Sequence, residues 1–188
     1  MDALERDFPL LDRLRPSICV EVGSGSGAVI TFLATHLGSG AFYLTTDVNP
    51  KACRCTYRTL LRNGVQRYDC INEDLVNGFQ PRLRNNVDVL IFNPPYVPTP
   101  SEDVWQPSKI GGIEASWAGG ARGREVTDRL LPDVAALLSR QGVLYLVTVP
   151  DNRPDDIKVL LGAQGFSSEV VLSRRAQNEK LSVMRFNR

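Results

Sequence analysis

Ile18-Cys19-Val20-Glu21-Val22 runs directly into Gly23-Ser24-Gly25-Ser26-Gly27, and a periodic apolar segment from Val29 to Leu37 follows at once. Strand, glycine loop and helix in that order open a nucleotide-binding βαβ unit. The glycines let the backbone pass close to a ligand, and the helix start offers unpaired N–H groups. A glycine loop alone is a weak signal. Here the next strand, Ala41 to Thr46, ends in Asp47, about as far past the loop as a carboxylate that binds a ribose hydroxyl pair. The pairing points to an adenosine-containing cofactor.

A second constraint is Asn93-Pro94-Pro95-Tyr96, which follows the apolar run Val87 to Phe92 and so lies just beyond a strand end. Ligands collect there in an open α/β sheet. Two prolines stiffen the turn and remove two backbone donors, and Pro94 pushes Asn93 away from the helical region. The Asn93 side-chain oxygen and the Pro94 carbonyl can accept both hydrogens of a planar NH2 group, with Tyr96 as a flat wall. Asn93, Pro94, Pro95 and Tyr96 are therefore the candidate substrate residues, and Asn93, Pro94 and Tyr96 the catalytic ones.

The remaining elements fill out one domain over residues 1–188. Met1 to Arg15 carries apolar residues at helical spacing, and Asn49-Pro50 starts a helix that stops at Asn63-Gly64. Tyr68 to Asn72 is a short strand followed by Glu73-Asp74-Leu75. A long Gly- and Pro-rich passage, Val97 to Gly123, carries Trp105, Glu114 and Trp117 and reads as a partly ordered lid. Arg124 to Leu138 is an amphipathic helix with Pro132 at a kink, Gly142 to Val149 a buried strand, and Asp155 to Ala163 a helix. Phe166 to Leu172 and Leu181 to Phe186 leave no room for a helix between them, so they form an antiparallel pair at a sheet edge.

A chain of 188 residues with 43% hydrophobic residues and a formal net charge of +1 suits one core. It does not suit disorder or a strongly basic nucleic-acid surface. The four cysteines lack paired ligand spacing, so no metal site or disulfide framework is expected. No apolar run approaches a membrane span and no signal peptide opens the chain, which by default implies a cytoplasmic or nuclear setting. His36, in the helix after the glycine loop, reads as a packing or surface residue. Arg122, Arg124 and Arg129 read as a solvated face.

With the elements in this order, the chain resembles the class I S-adenosylmethionine-dependent methyltransferases over nearly its whole length. That resemblance implies a Rossmann-like α/β fold with a seven-stranded, mostly parallel sheet, order 3-2-1-4-5-7-6, strand seven antiparallel. Glu21-Val22-Gly23-Ser24-Gly25-Ser26-Gly27 resembles the cofactor loop, Thr46-Asp47 the ribose acid, and Asp74-Leu75 the pair that holds the adenine. Gly23, Gly25, Gly27, Asp47, Asp74, Leu75 and Asn93 are thus expected around S-adenosyl-L-methionine and its product S-adenosyl-L-homocysteine. Glu21 either binds the methionyl amine, directly or through water, or caps nearby N–H groups.

Asn93-Pro94-Pro95-Tyr96-Val97, with Gly112 to Gly120 and Gly123-Arg124-Glu125-Val126, resembles the HemK-type protein-glutamine methyltransferases. The resemblance is closer to the eukaryotic catalytic subunit that methylates the Gly-Gly-Gln glutamine of the class I translation release factor. It implies a small zinc-binding activator subunit in a heterodimer at the Tyr68–Asn72 edge strand, although this chain carries no zinc motif. Family members have a further amino-terminal segment that helps close over cofactor and substrate, and this chain begins at about the helix following it. A protein lysine, as on a histone, or adenine in nucleic acid are the alternative acceptors. A weakly active cofactor-binding or scaffold form is the alternative of another class. Nucleic acid fits poorly, because base extraction requires a gripping surface that near-zero net charge does not supply.

Overall fold

The computed structural model describes the backbone of every residue except 80, 106–115 and 177–178, and the side chains of those described except 105, 176 and 179. Seven strands form one sheet in the order β3-β2-β1-β4-β5-β7-β6. They are β1 (Ile18–Val22), β2 (Phe42–Asp47), β3 (Tyr68–Asn72), β4 (Val87–Phe92), β5 (Leu138–Thr148), β6 (Ser167–Ala176) and β7 (Glu179–Asn187). The first five run parallel, and β7 lies antiparallel to both β5 and β6. The order expected from the resemblance is the order observed.

Alternation along the central strands, resumed on β4 after a register shift between Val87 and Val89, divides the core into two layers. On β4, Leu90 and Phe92 face one cluster while Val89 and Ile91 face the other. On β5, Leu144 and Leu146 oppose Val143 and Tyr145 in the same way. Successive residues of a strand point to opposite faces, so a strand apolar at every position must be covered on both. One cover consists of α6 (Glu125–Leu137) and α7 (Pro154–Gly162). The other consists of α1 (Asp2–Arg6), α2 (Phe8–Leu14), α3 (Ala28–Leu37) and α4 (Pro50–Arg62). Each fully buried Leu or Ile contributes about 1.5–3 kcal/mol.

The amino-terminal stretch is two helices rather than one. They break at Asp7, and Pro9 falls in the first turn of α2, where its missing N–H costs no hydrogen bond. Asp7 then works across the chain: Arg185 Nη1 donates to it at 2.6 Å and the Tyr145 hydroxyl at 2.8 Å. These bonds tie the helical segment to the β5–β7 side of the sheet.

Three expected boundaries move. β5 starts at Leu138 rather than Gly142, because Leu138 already pairs with Val87 before the register shifts and resumes at Val89 and Val143. The hairpin strands β6 and β7 are longer than the apolar pattern indicated, since an edge hairpin extends through polar residues such as Ser173 and Ser182, which pair through the backbone and through a 3.2 Å hydroxyl bond. In the long passage, α5 (Ser101–Trp105) and residues 116–123 are ordered around the end of β4. The part of the expected lid that carries Glu114, residues 106–115, lies outside the described residues. No helix among the described residues is long and apolar enough to cross a membrane.

Candidate active site

The strands β1, β2 and β4 end on one edge of the sheet, and the loops beyond them enclose a cleft of about 480 Å³, within the usual range for a small-molecule site. Glu21, Gly23 and Gly25 line it from β1 and its loop, Asp47 from β2, Asp74 and Leu75 from beyond β3, and Asn93 and Pro95 from beyond β4. Residues far apart in sequence meet here because parallel strands all deliver their carboxyl ends to the same edge.

The glycine loop is held from below by α4. The Thr56 hydroxyl donates to Ser24 Oγ at 3.0 Å, and the Thr59 hydroxyl donates to the Ser26 carbonyl at 2.8 Å. Gly27, expected among the cofactor residues, does not line the cleft. It takes φ +75°, and a Cβ there would lie 2.8 Å from Thr56 Cα, so its role is to let α3 and α4 approach. Neither threonine stood out in the sequence. Polar residues three apart on a helix surface look solvated until the loop they grip is in place.

Asp47 is oriented on both oxygens. Oδ2 accepts the Gly25 amide at 2.9 Å and Oδ1 the Asn49 amide at 2.8 Å. Asn72 Nδ2 donates to the carbonyls of Asp47 and Val48 at 2.8 and 3.0 Å, fixing the same corner from β3. Beyond β3, Asp74 is ion-paired with Arg129 of α6, which also lines the cleft. Leu75 holds a left-handed backbone, φ +54°.

Glu21 is 4% exposed and its Oε2 accepts the Ile30 amide at 3.0 Å. Burial pushes its carboxyl up to about 8, against the opposing effect of that amide. The capping reading of Glu21 is thus realised in this structure, and the same side chain still faces the cleft.

At the other wall, Phe92 is buried while Asn93 is exposed beside the cleft. Pro94 is buried behind it. The passage downstream folds back on this turn: Val97 N–H donates to the Trp117 carbonyl at 3.1 Å, and Gly119 N–H donates to the Val97 carbonyl at 2.9 Å. Val104 of α5, Ser116 and Ala118 complete the mouth.

Of two other expectations, the one for Arg124 is overturned and the one for His36 is met. Arg124 is not part of a solvated face: it is 8% exposed and bonds Asp128 through Nη2 at 2.6 Å and Asp156 through Nη1 at 3.5 Å, linking α6 to α7. His36 is a packing residue, stacked on Phe8 with ring centroids 3.5 Å apart and bonded to Asp12 at 2.8 Å. Among the described residues, no group of three or more His, Cys, Asp or Glu side chains could hold a metal ion.

An open sheet whose last strand turns antiparallel, with its cleft over the ends of β1, β2 and β4, is the architecture of the class I methyltransferases. The comparisons with known proteins carry this further. The chain is 46% identical to the Homo sapiens methyltransferase HEMK2 over 98% of its own length and 87% of the relative. It is 35% identical to the eRF1 methyltransferase catalytic subunit mtq2 of Schizosaccharomyces pombe, over 100% of this chain and 84% of that one. The chain belongs to the HEMK2 methyltransferase family. Among solved structures, the Mtq2 subunit of the E. cuniculi Mtq2–Trm112 complex, responsible for methylation of the eRF1 translation termination factor, superposes with a TM-score of 0.70 at 27% identity. That match covers 100% of this chain and 91% of the other. No family model matches the chain.

Proposed function

We propose that the protein methylates the side-chain amide nitrogen of the Gly-Gly-Gln glutamine in a class I translation release factor, using S-adenosyl-L-methionine. The observation that carries this reading is the position of Asn93, exposed to solvent and lining the cleft. The names of the fission-yeast and E. cuniculi relatives support a translation termination factor as the protein substrate.

The cleft suits the cofactor. Asp47, already oriented by two amides, offers its remaining lone pairs to a ribose diol, and Glu21 offers a carboxylate to an amino group. Asp74 and Leu75 stand where an adenine would be received. When bound, the cofactor supplies an electrophilic methyl group on a sulfonium.

The residues of the β4 turn prepare the acceptor. An amide nitrogen is a poor nucleophile because its lone pair is delocalised into the carbonyl. Asn93 Oδ1 and the Pro94 carbonyl accept both N–H hydrogens, which favours lone-pair density on nitrogen and aims it into the cleft. Tyr96 flanks the planar group. No strong base is needed before attack, since the proton becomes acidic only as the new bond forms and then leaves to water.

The same reading places a small zinc-binding activator subunit on the β3 edge, and the protein in the cytoplasm. Among the described residues β3 ends the sheet and has a partner strand on one side only, the kind of edge a further strand pairs with. Beside it α4 exposes Tyr57 at 50% and Leu61 at 57%, one turn apart, with the Tyr57 ring 5.4 Å from that of Tyr68. The E. cuniculi relative is itself half of a complex with Trm112.

Mass spectrometry of purified release factor after incubation with the protein and cofactor tests the function directly. A mass gain equal to one methyl group replacing one hydrogen should map to the Gly-Gly-Gln glutamine. Asn93→Ala should lower the transfer rate by about 10²–10³-fold while leaving cofactor affinity nearly unchanged. Methylation of a different residue type, or none from a preparation that binds the cofactor, would remove the glutamine assignment.

A further inference from the structure

We propose that Asn152 is a positioning residue for methyl transfer: its buried amide holds the carbonyl of Tyr96 and so sets where Asn93 and Pro94 present their acceptor oxygens. This rests on the reading of the β4 turn given above.

Residues 93–96 have few means of holding themselves, because prolines at 94 and 95 remove two N–H donors. The β4–β5 ladder runs only to Phe92 and Leu146, and the turn lies past that pair. Asn152 spans the opening between the two strand ends. Its Oδ1 accepts the Val149 amide at 2.8 Å, and its own backbone N–H donates to the Val149 carbonyl at 3.0 Å, which ties the side chain to the end of β5. Nδ2 then donates to the carbonyls of Tyr96 at 2.9 Å, Arg122 at 2.9 Å and Gly123 at 3.2 Å. Two hydrogens serve three acceptors, so one of them is shared.

Three features make this a positioning device rather than a generic cap. Asn152 is 2% exposed, so water does not compete for these carbonyls. Gly123, at φ +63°, packs so closely that a Cβ there would overlap the Tyr96 oxygen and crowd Asn152 Nδ2 at 2.7 Å, so no room is left for that bond to shift. The two prolines between Tyr96 and Asn93 fix φ, so a displacement of Tyr96 passes along the turn to the acceptor pair instead of being absorbed. Asp47 and Glu21, by contrast, are held by the Gly25 amide of the glycine loop and the Ile30 amide of α3, and do not depend on this clamp.

The test compares wild type with N152D, N152A and G123A, each assayed on purified release factor with cofactor binding measured separately by calorimetry. N152D keeps the shape but turns a carboxylate toward three carbonyls. Its kcat should fall by about 10–100-fold at about pH 8, with cofactor Kd within about twofold. Its activity should then recover as pH is lowered, because the buried carboxyl titrates above the ordinary range and, once protonated, again donates one hydrogen. Wild type and N152A should lack that recovery. G123A sets a methyl group against both the Tyr96 oxygen and Asn152 Nδ2 without changing the Asn152 side chain, so it disturbs the same bond and a comparable loss of kcat is expected from it.

Wild-type kcat in N152D and G123A would overturn the proposal. So would a parallel loss of kcat, cofactor affinity and thermal midpoint with no acid recovery, since that pattern marks a residue that only holds the fold. If wild type binds cofactor yet does not methylate the release factor, the parent reading fails and this one falls with it.

Discussion

The Asp47 carboxylate accepts the Gly25 amide at 2.9 Å, joining the acid at the end of β2 to the middle of the loop that leaves β1. The two halves of the cofactor motif therefore form one rigid unit before any ligand arrives. Ordering entropy that a flexible loop would lose on binding has already been lost on folding. This link makes Asp47 a support of the loop as well as a ligand contact.

Asp47→Asn should weaken cofactor binding less than Asp47→Ala. The asparagine side chain keeps one acceptor oxygen, whereas alanine removes charge, acceptors and the hold on Gly25 together. Loss of charge-assisted hydrogen bonds worth about 1.5–3 kcal/mol each predicts an affinity drop on the order of 10–100-fold or more for Asp47→Ala. Isothermal titration at constant salt reads both variants, and equal affinities for the two would remove the proposed support role.

Glu21 makes stability depend on pH. Its carboxyl is raised from 4.5 to about 8 by burial, so between those values the folded chain keeps a proton that the unfolded chain has released. Folding is thus linked to proton uptake, and the contribution of this group to stability declines as pH rises through that window, levelling off above about 8. Glu21→Gln should flatten this part of the profile. Denaturant midpoints measured across the window for both proteins give the comparison. Cofactor binding near neutral pH should also release a proton, because an amino group against Glu21 favours the carboxylate, and calorimetry in buffers of different ionisation enthalpy detects it.

Gly27→Ala should destabilise the fold by about 2 kcal/mol or more, since φ > 0 and a close backbone neighbour both oppose a side chain. For a chain of this size that is a fall in thermal midpoint of about 4–8 °C. The contact that must move is with Thr56 Cα, 2.8 Å from the added carbon. A thermal melt in the absence of cofactor isolates this packing effect, and an unchanged midpoint would mean that α3 and α4 separate easily.

Leu61→Asp should leave the isolated fold nearly intact, because the side chain is 57% exposed, yet reduce recovery of an activator complex on coexpression. An exposed apolar residue beside an unpaired strand edge contributes mainly once covered. Undiminished co-purification with the activator would move the partner to another face of the molecule.

The order of the elements, the cofactor loop with its acid, and the Asn-Pro-Pro-Tyr turn were all legible in the sequence. Each depends on local rules: period-two apolar runs for Val87 to Phe92, glycines where the backbone must turn, prolines that fix φ around Asn93. The same rules misjudged Arg124, which looks like a surface cation beside Arg122 and is buried between Asp128 and Asp156. They also passed over Thr56, Thr59 and Asn152, which as isolated letters in α4 and in the turn after β5 are ordinary polar residues. Their distant partners stand 29 to 56 positions away, as with Asn152 to Gly123 and to Tyr96. A sequence determines by itself what neighbouring residues impose on one another through sterics and hydrophobic period. Which distant carbonyl a side chain finds is decided only when parallel strands bring their ends to one edge, because hydrogen bonds act over about 3 Å and that proximity is a property of the packed sheet.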